Sequence, residues 1–249
     1  MSIVLVGSTS GSITLQEPAV AGTTVLTLPA TSGTVALYAN PQVTVYTSGS
    51  GTYTTPTGAK YLYIKMVGGG GGGECSDSAG GPAAGGTGGN TTFGSSLLTC
   101  VGGSGGSYNG PNDGGTATVS SPAVGLGIKG SAGASPGVGT PGAITYLSGG
   151  MGGCSPFGGA GQNQWAANPG QPAATNSGSG GGGAGTATGG AIPGGGGGSG
   201  GYVEAYITSP SSTYSYAIGA GGTGAVAGTN GFAGGAGAAG VIIITAFFG

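Results

Sequence analysis

The sequence has no histidine and no arginine, and charge of either sign is nearly missing. Lys60, Lys65 and Lys129 stand against Glu17, Glu74, Asp77, Asp113 and Glu204 in 249 residues. Nucleic-acid binding needs basic clusters that neutralise phosphates, and a membrane-surface protein needs a polybasic patch; neither can be assembled from three lysines. Without histidine the commonest general base and metal ligand is gone. Free soluble proteins keep more surface charge for colloidal stability, so a fixed place in a large assembly suits this chain better. Cysteine is scarce too. Cys75, Cys100 and Cys154 match no zinc or redox spacing, and an odd count allows at most one intrachain disulfide. Small buried apolar residues is the reading that fits them. Long hydrophobic runs are absent: Val241 to Phe248, apolar but for Thr245, is eight residues long, far short of the ~20 that span a bilayer as a helix. The opening MSIVLVGSTS has neither a charged n-region nor a long h-region, so neither classical secretion nor membrane insertion is expected.

What the chain has is glycine. Gly 68 and Pro 14 make up about a third of it, a fraction that signals low complexity or disorder when no strict repeat is present. Disordered chains, however, are charged and poor in apolar residues, whereas this one is 3% charged and 37% hydrophobic. Collagen needs glycine at every third position, and Gly125, Gly127, Gly130, Gly133, Gly137, Gly139 and Gly142 break that period. A flexible linker is the plain reading of Gly/Ser tracts, but strands are expected before and after them. Strings resembling GxGxxG are inevitable at this density, and no GK[ST] or strand–loop–helix context accompanies them. The remaining reading is a set of polyglycine type II chains. Each is extended, with three residues per turn, and makes its hydrogen bonds only to neighbours. Glycine is then the residue that permits close packing. Pleated strands are the competing outcome.

Three zones are expected, residues 1–40, 41–67 and 68–249, the last two making one domain. Residues 1–40 carry short β-type runs, Ile3 to Val6, Ile13 to Leu15, Val25 to Leu28 and Thr34 to Leu37, separated by Gly or Pro. Forty residues bury little core, so this N-terminal module is expected to attach or oligomerise. Residues 41–249 form the second domain. In Tyr61 to Val67, Leu62, Ile64 and Met66 share one face, opposite Tyr61, Tyr63 and Lys65. Val203, Ala205 and Ile207 share a face, as do Tyr214, Tyr216 and Ile218. Val241 to Phe248 is apolar on both faces and is expected to be a central, doubly covered strand. The fold class is therefore all-β. A short-stranded, sandwich-like framework carries a glycine-rich insert of polyglycine type II character and an N-terminal short β module.

No catalytic residue, metal site or cofactor is assigned. Glu74 and Asp77 are the only carboxylates close in sequence, and a solvated loop is the simpler account of them than a glycosidase pair or a cation site. Recognition is better supplied. Trp165 is the only tryptophan, and Gln162, Asn163, Gln164 and Asn168 surround it. A flat apolar ring beside directed amides suits carbohydrate or protein docking. The alternative is that Trp165 plugs the apolar end of the glycine-rich core. Tyr108, Asn109 and Asn112 form a second candidate, in a loop that is also ordinary turn chemistry.

The string TVYTSGSGTYTTPTGAKYLYIKMVGGGGGG resembles the opening of the glycine-rich domain of bacteriophage tail-fibre and adhesin-type virion proteins. GGGGGSGGYVEAYI, TYSYAIGAGGTG and GGAGAAGVIIITAFF resemble its later segments, and TTFGSSLLTCVGGSGG its middle, so the likeness spans residues 43–249. Residues 10–37 are similar to a short module of phage structural proteins. Composition points to a non-enzymatic structural protein, and the resemblance implies a virion component assembled in the host cytoplasm and acting as a homotrimer. It also implies contact with other virion proteins through residues 1–40, and adhesion to a host-surface glycan or outer-membrane protein. A tail position is expected over a capsid one. A head fibre, capsid decoration or connector is the alternative, and a free ice-binding-type polyglycine protein is a third.

Overall fold

The computed structural model describes residues 3–6 and 12–15 by their backbone, and residues 40–79, 81–110, 112–137, 147–187 and 191–248. The chain divides into Met1–Leu37 and Tyr38–Gly249. In the first unit β1 (Ile3–Val6) and β2 (Ser12–Leu15) pair antiparallel, Ile3 opposite Leu15. The runs expected at 25–28 and 34–37 lie outside the described residues.

The second unit is all-β. One five-stranded antiparallel sheet has the order β3 (Gln42–Tyr46), β12 (Val241–Phe247), β5 (Tyr61–Val67), β10 (Tyr202–Ile207), β9 (Val124–Ile128). The other has the order β4 (Ser50–Thr54), β11 (Thr213–Ala217), β6 (Thr91–Phe93), β7 (Leu98–Cys100), β8 (Ala117–Val119). Their facing sides make one core. Leu62, Ile64 and Met66, Val203, Ala205 and Ile207, and Ile242, Ile244 and Ala246 come from the first sheet; Tyr53, Phe93, Leu98 and Cys100 come from the second. Alternation does the sorting: each strand places every second residue inward, and β5 and β10 pair with Met66 opposite Val203 and Ile64 opposite Ala205.

Two expectations need correction here. β12 is central, between β3 and β5, but not doubly covered. Its inner residues are buried, while on the outer face only the row at the lattice end is covered: Val241, Val67 and Tyr202 are buried there, with Phe157 edge-on to Tyr202, and beyond it Ile243, Thr245 and Phe247 are half-buried. Cysteine is the second case. Cys75 and Cys100 are buried free thiols, but Cys154 is exposed in a turn of the glycine-rich region.

Turns at 55–60, 94–97, 120–123 and 208–212 close one end of the sandwich. The glycine-rich excursions 68–90, 101–116, 129–201 and 218–240 leave and re-enter at the other. They are not pleated strands. Along tract 68–76 the amide bonds rotate through three neighbours with a period of three. Gly68, Gly71 and Glu74 donate to Gly201, Gly198 and Gly195; Gly69 and Gly72 donate to Gly89 and Gly86; Gly70, Gly73 and Ser76 donate to Ala238, Gly235 and Phe232. The carbonyls accept from three further tracts: Gly69 and Gly72 from Gly103 and Gly106, Gly70 and Gly73 from Gly222 and Ala225, Gly71 and Glu74 from Gly181 and Ala184. A strand bonds to two neighbours; this chain bonds to six. That is the bonding of packed polyglycine type II chains, in which the threefold turn points successive amides 120° apart.

The direction of each contact has a rule. Partners of the tract's N–H groups run antiparallel to it, and partners of its C=O groups run parallel. This follows from the path of the chain: 68–76, 101–106, 178–184 and 218–225 lead away from the sandwich, and 83–90, 194–201 and 232–240 lead back. Glycine is required by distance. A Cβ at Gly71 would lie 1.9 Å from the Ser104 carbonyl oxygen, and one at Gly73 2.0 Å from that of Gly182. The oxygen occupies the place of the missing side chain, roughly 3.5 Å from Cα, the range of a Cα–H···O contact.

Candidate functional site

The lattice decides where loops can sit. The chain reverses far from the sandwich after 76, 106, 164 and 225, and these reversals carry most of the polar side chains that the tracts exclude. Both sequence candidates lie at this distal end. They do not form one site. Tract 101–106 bonds to 68–76, 83–90, 112–116 and 194–201, whereas the tract leading to Trp165 bonds to 147–153 and 178–183, so the two loops stand over different parts of the lattice.

Trp165 is 63% exposed and plugs nothing, which removes the apolar-plug alternative. Its turn is fixed from below. Gly149 donates to the Gln164 carbonyl, Gly185 to the Asn168 carbonyl, and the Asn168 side chain donates from Nδ2 to the Trp165 carbonyl at 2.9 Å. Ala166 takes the left-handed conformation (φ 58°) that tightens the reversal. Gln162, Asn163 and Asn168, its neighbours along the chain, are exposed and Gln164 is half-buried. The result is an exposed indole on a held backbone, while the Asn168 amide is spent on the Trp165 carbonyl and the Gln162 amide lies 3.4 Å from the Ala160 carbonyl.

The second candidate is built differently. Asn112 is buried, and its Oδ1 accepts the Ser107 amide at 2.7 Å, closing the loop on itself. Tyr108 is half-buried and Asn109 exposed. The Tyr108 and Gly195 amides both donate to the carboxylate of Glu74, the latter at 2.8 Å to Oε2. Glu74 is buried (2% exposed), and burial pushes its pKa up against the opposing pull of those two amides. It is a tie between the central tract and the 107–112 loop. Asp77 turns elsewhere, its Oδ1 accepting the Ala79 amide at 2.8 Å. The two carboxylates thus have separate backbone partners. Among the described residues no three of His, Cys, Asp and Glu come together as a metal site. Lys129 and Asp113 form an exposed ion pair at 2.9 Å.

Two further surfaces stand outside these candidates; the first escaped sequence reasoning, and the second was legible in part, since alternation turns Tyr61, Tyr63, Tyr202 and Tyr206 away from the core, as subunit or receptor contacts. An open cleft of about 300 Å³ lies where the lattice meets the first sheet, lined by Ile128, Lys129, Ser131, Cys154, Pro156 and Tyr202. The second surface is the outer face of that sheet, where Val43, Val45, Val124, Leu126, Ile128 and Tyr206 are exposed. Its signal was present in VGLGI (124–128), whose apolar residues alternate with glycine rather than with polar residues. Compared with known families, curated proteins and solved structures, the chain matches none.

Proposed function

We propose that this protein is a non-enzymatic structural component of a bacteriophage particle, a tail fibre or tip adhesin that attaches the virion to a receptor on the host surface. The phage assignment rests on the resemblance of residues 43–249 to the glycine-rich domain of such proteins. The observation that supports adhesion is the exposed Trp165, flanked by amides and held on a lattice-anchored turn. A receptor met by this surface is a glycan or an outer-membrane protein, stacked on the indole and hydrogen-bonded by Gln162, Asn163 and Asn168. Rigid stems favour such a role because a loop that is already ordered loses little entropy on binding.

Trp165→Ala tests this directly. The side chain is exposed, so the fold should keep its thermal midpoint, and adsorption of particles carrying the variant should fall at least tenfold. Unchanged adsorption removes Trp165 from the receptor site. Antibody labelling of intact particles tests the tail position; a capsid location turns the reading to a head fibre or decoration protein.

A further inference from the structure

Asparagine followed by glycine is among the least durable dipeptides of a chain, because the glycine amide nitrogen has no side chain to obstruct its attack on the asparagine Cγ. Two such pairs occur, Asn109–Gly110 and Asn230–Gly231. Both lie in distal reversals, and the fold treats them differently.

Asn230 is held. The Gly231 amide donates to the Gly228 carbonyl at 3.1 Å, and the next amide, that of Phe232, donates to Ser76 Oγ at 2.9 Å. Asn230 Nδ2 lies 3.5 Å from Ser78 Oγ. A Cβ on Gly231 would fall 1.8 Å from the Ser76 carbonyl oxygen, so this backbone cannot turn without parting from tract 68–76. Asn176, which precedes the small Ser177, is restrained in the same way. Ser177 is buried and its amide donates to the Ala174 carbonyl at 3.3 Å.

Asn109 is free in both respects. Its side chain is exposed and bonds to nothing among the described residues, and the Gly110 amide is given to no carbonyl. The bonds that close this loop lie to either side. The Ser107 amide donates to Asn112 Oδ1 at 2.7 Å, and the Tyr108 amide donates to the Glu74 carboxylate. Nucleophile and electrophile are thus neighbours on a bend, and neither has to give up a bond to meet the other.

We propose that Asn109 is a modification site, converted spontaneously by water to aspartate and isoaspartate, and that this change loosens the 107–112 loop from the lattice. The steps balance without a catalyst. The Gly110 amide nitrogen gives its proton to hydroxide and bonds to Cγ of Asn109. Nδ2 leaves with a proton as ammonia, and a cyclic succinimide remains. Water then adds to one of the ring carbonyls. Opening at Cγ restores the main chain and leaves aspartate. Opening at the backbone carbonyl leaves isoaspartate, whose main chain runs through Cβ and Cγ. The sum is asparagine plus water giving a carboxylic acid plus ammonia.

Each product disturbs the loop. The formal net charge becomes one unit more negative than −2, and the nearby cation is taken, since Lys129 pairs with Asp113 at 2.9 Å. The new carboxylate stands one residue from Tyr108, whose amide is spent on the buried carboxylate of Glu74, and like charges oppose each other. Isoaspartate also adds a main-chain carbon between Ser107 and Asn112, whose mutual bond closes the loop. The inference rests on the loop's geometry and is independent of the virion reading.

The full chain is kept in mildly alkaline buffer and mapped by mass spectrometry of its proteolytic peptides, with isoaspartate methyltransferase marking the iso form. Asn109 should convert, with isoaspartate exceeding aspartate. Asn230 should convert at least about tenfold more slowly, since its reacting amide must first leave the Gly228 carbonyl. In strong denaturant the two pairs should react at equal rates, which assigns the contrast to the fold. In the aged folded chain the Tyr108 amide should exchange its hydrogen at least about threefold faster than in fresh chain, with the Gly149 amide unchanged. An Asn109 that keeps its amide in the folded chain overturns the proposal, as does an Asn230 that keeps pace with it. Denatured rates that differ as the folded ones do also overturn it, because local sequence would then set the contrast. Conversion with unaltered exchange at Tyr108 overturns the loosening of the loop.

Discussion

The sandwich and the lattice are two solutions to one problem, ordering a chain against its conformational entropy. In the sandwich Leu62, Ile64, Val203 and Ile242 are placed by their side chains, and apolar burial at roughly 25 cal/mol per Å² supplies the stabilisation. In the lattice Gly68 to Gly73 are placed by having none. Their order rests on backbone hydrogen bonds worth about 0.5–1.5 kcal/mol each net. Fixing a backbone residue costs about 1–2 kcal/mol, and glycine more than most. A lattice of this kind does not stand alone. It needs its chain ends held in register, and β5, β6, β7, β8, β9, β10, β11 and β12 hold them. The comparison teaches that the two parts fold as one cooperative unit, with the hydrophobic part licensing the hydrogen-bonded one.

That claim can be broken most sharply at Gly71. One added methyl, Gly71→Ala, meets backbone that six neighbours hold in place, and we expect a loss of ~4 kcal/mol or more in denaturant unfolding, above the roughly 1–3 kcal/mol typical of overpacking. If the unit is cooperative, strand signals and lattice protection from hydrogen exchange are lost together; a lattice that melts while the sandwich persists separates them. Ile64→Ala comes next. It empties a fully buried site and should cost about 3 kcal/mol by the same measurement.

A smaller effect is expected from Glu74. Its folded pKa is raised by burial, so its contribution is fully present below the ordinary glutamate range and is lost as pH rises through the folded value. Wild-type stability should therefore decline with pH relative to Glu74→Gln. The thermal midpoints are compared above pH 5, where Glu204, held low by the Tyr63 and Tyr202 hydroxyls, stays ionised and adds no slope. Parallel curves would show that the buried carboxylate does not titrate differently on folding. The smallest effect belongs to Gly159→Ala. No atom lies within 4 Å of the new methyl, and stability should change by less than about 0.5 kcal/mol, which makes glycine itself dispensable where no carbonyl faces it.

How much could be read beforehand divides along the same line. Side chains announce their neighbours, so the inward faces of β5 and β10 were legible from alternation alone. β12 was misjudged because a run of eight residues that is apolar but for Thr245 looks alike whether the outer face meets protein or not. In the lattice the sequence names the residue and withholds the partner. Nothing distinguishes Gly70, which bonds to Ala238, from Gly71, which bonds to Gly198, except position along a threefold turn. The distal placement of Trp165 follows from that pairing, so its ring could be read as a contact or as a plug until the tracts were matched. Asn112 looked like a recognition residue because amides in turns and amides in sites have the same composition; its Oδ1 is taken by Ser107.

The occupied place beside each lattice glycine also bears on how such a protein can change over generations. A glycine codon altered at its first or second base always specifies a side chain or a stop, and at Gly69 to Gly73 any side chain lands on a carbonyl oxygen about 2 Å away. The stems are therefore closed to drift in nearly every reading of their codons. The reversals at the distal end carry less of that restriction, since most of their positions already hold side chains, although a Cβ at Gly231 would still lie 1.8 Å from the Ser76 carbonyl oxygen. Heritable variation is channelled into the loops, and new surface chemistry can be tried there while the stems that present it stay as they are.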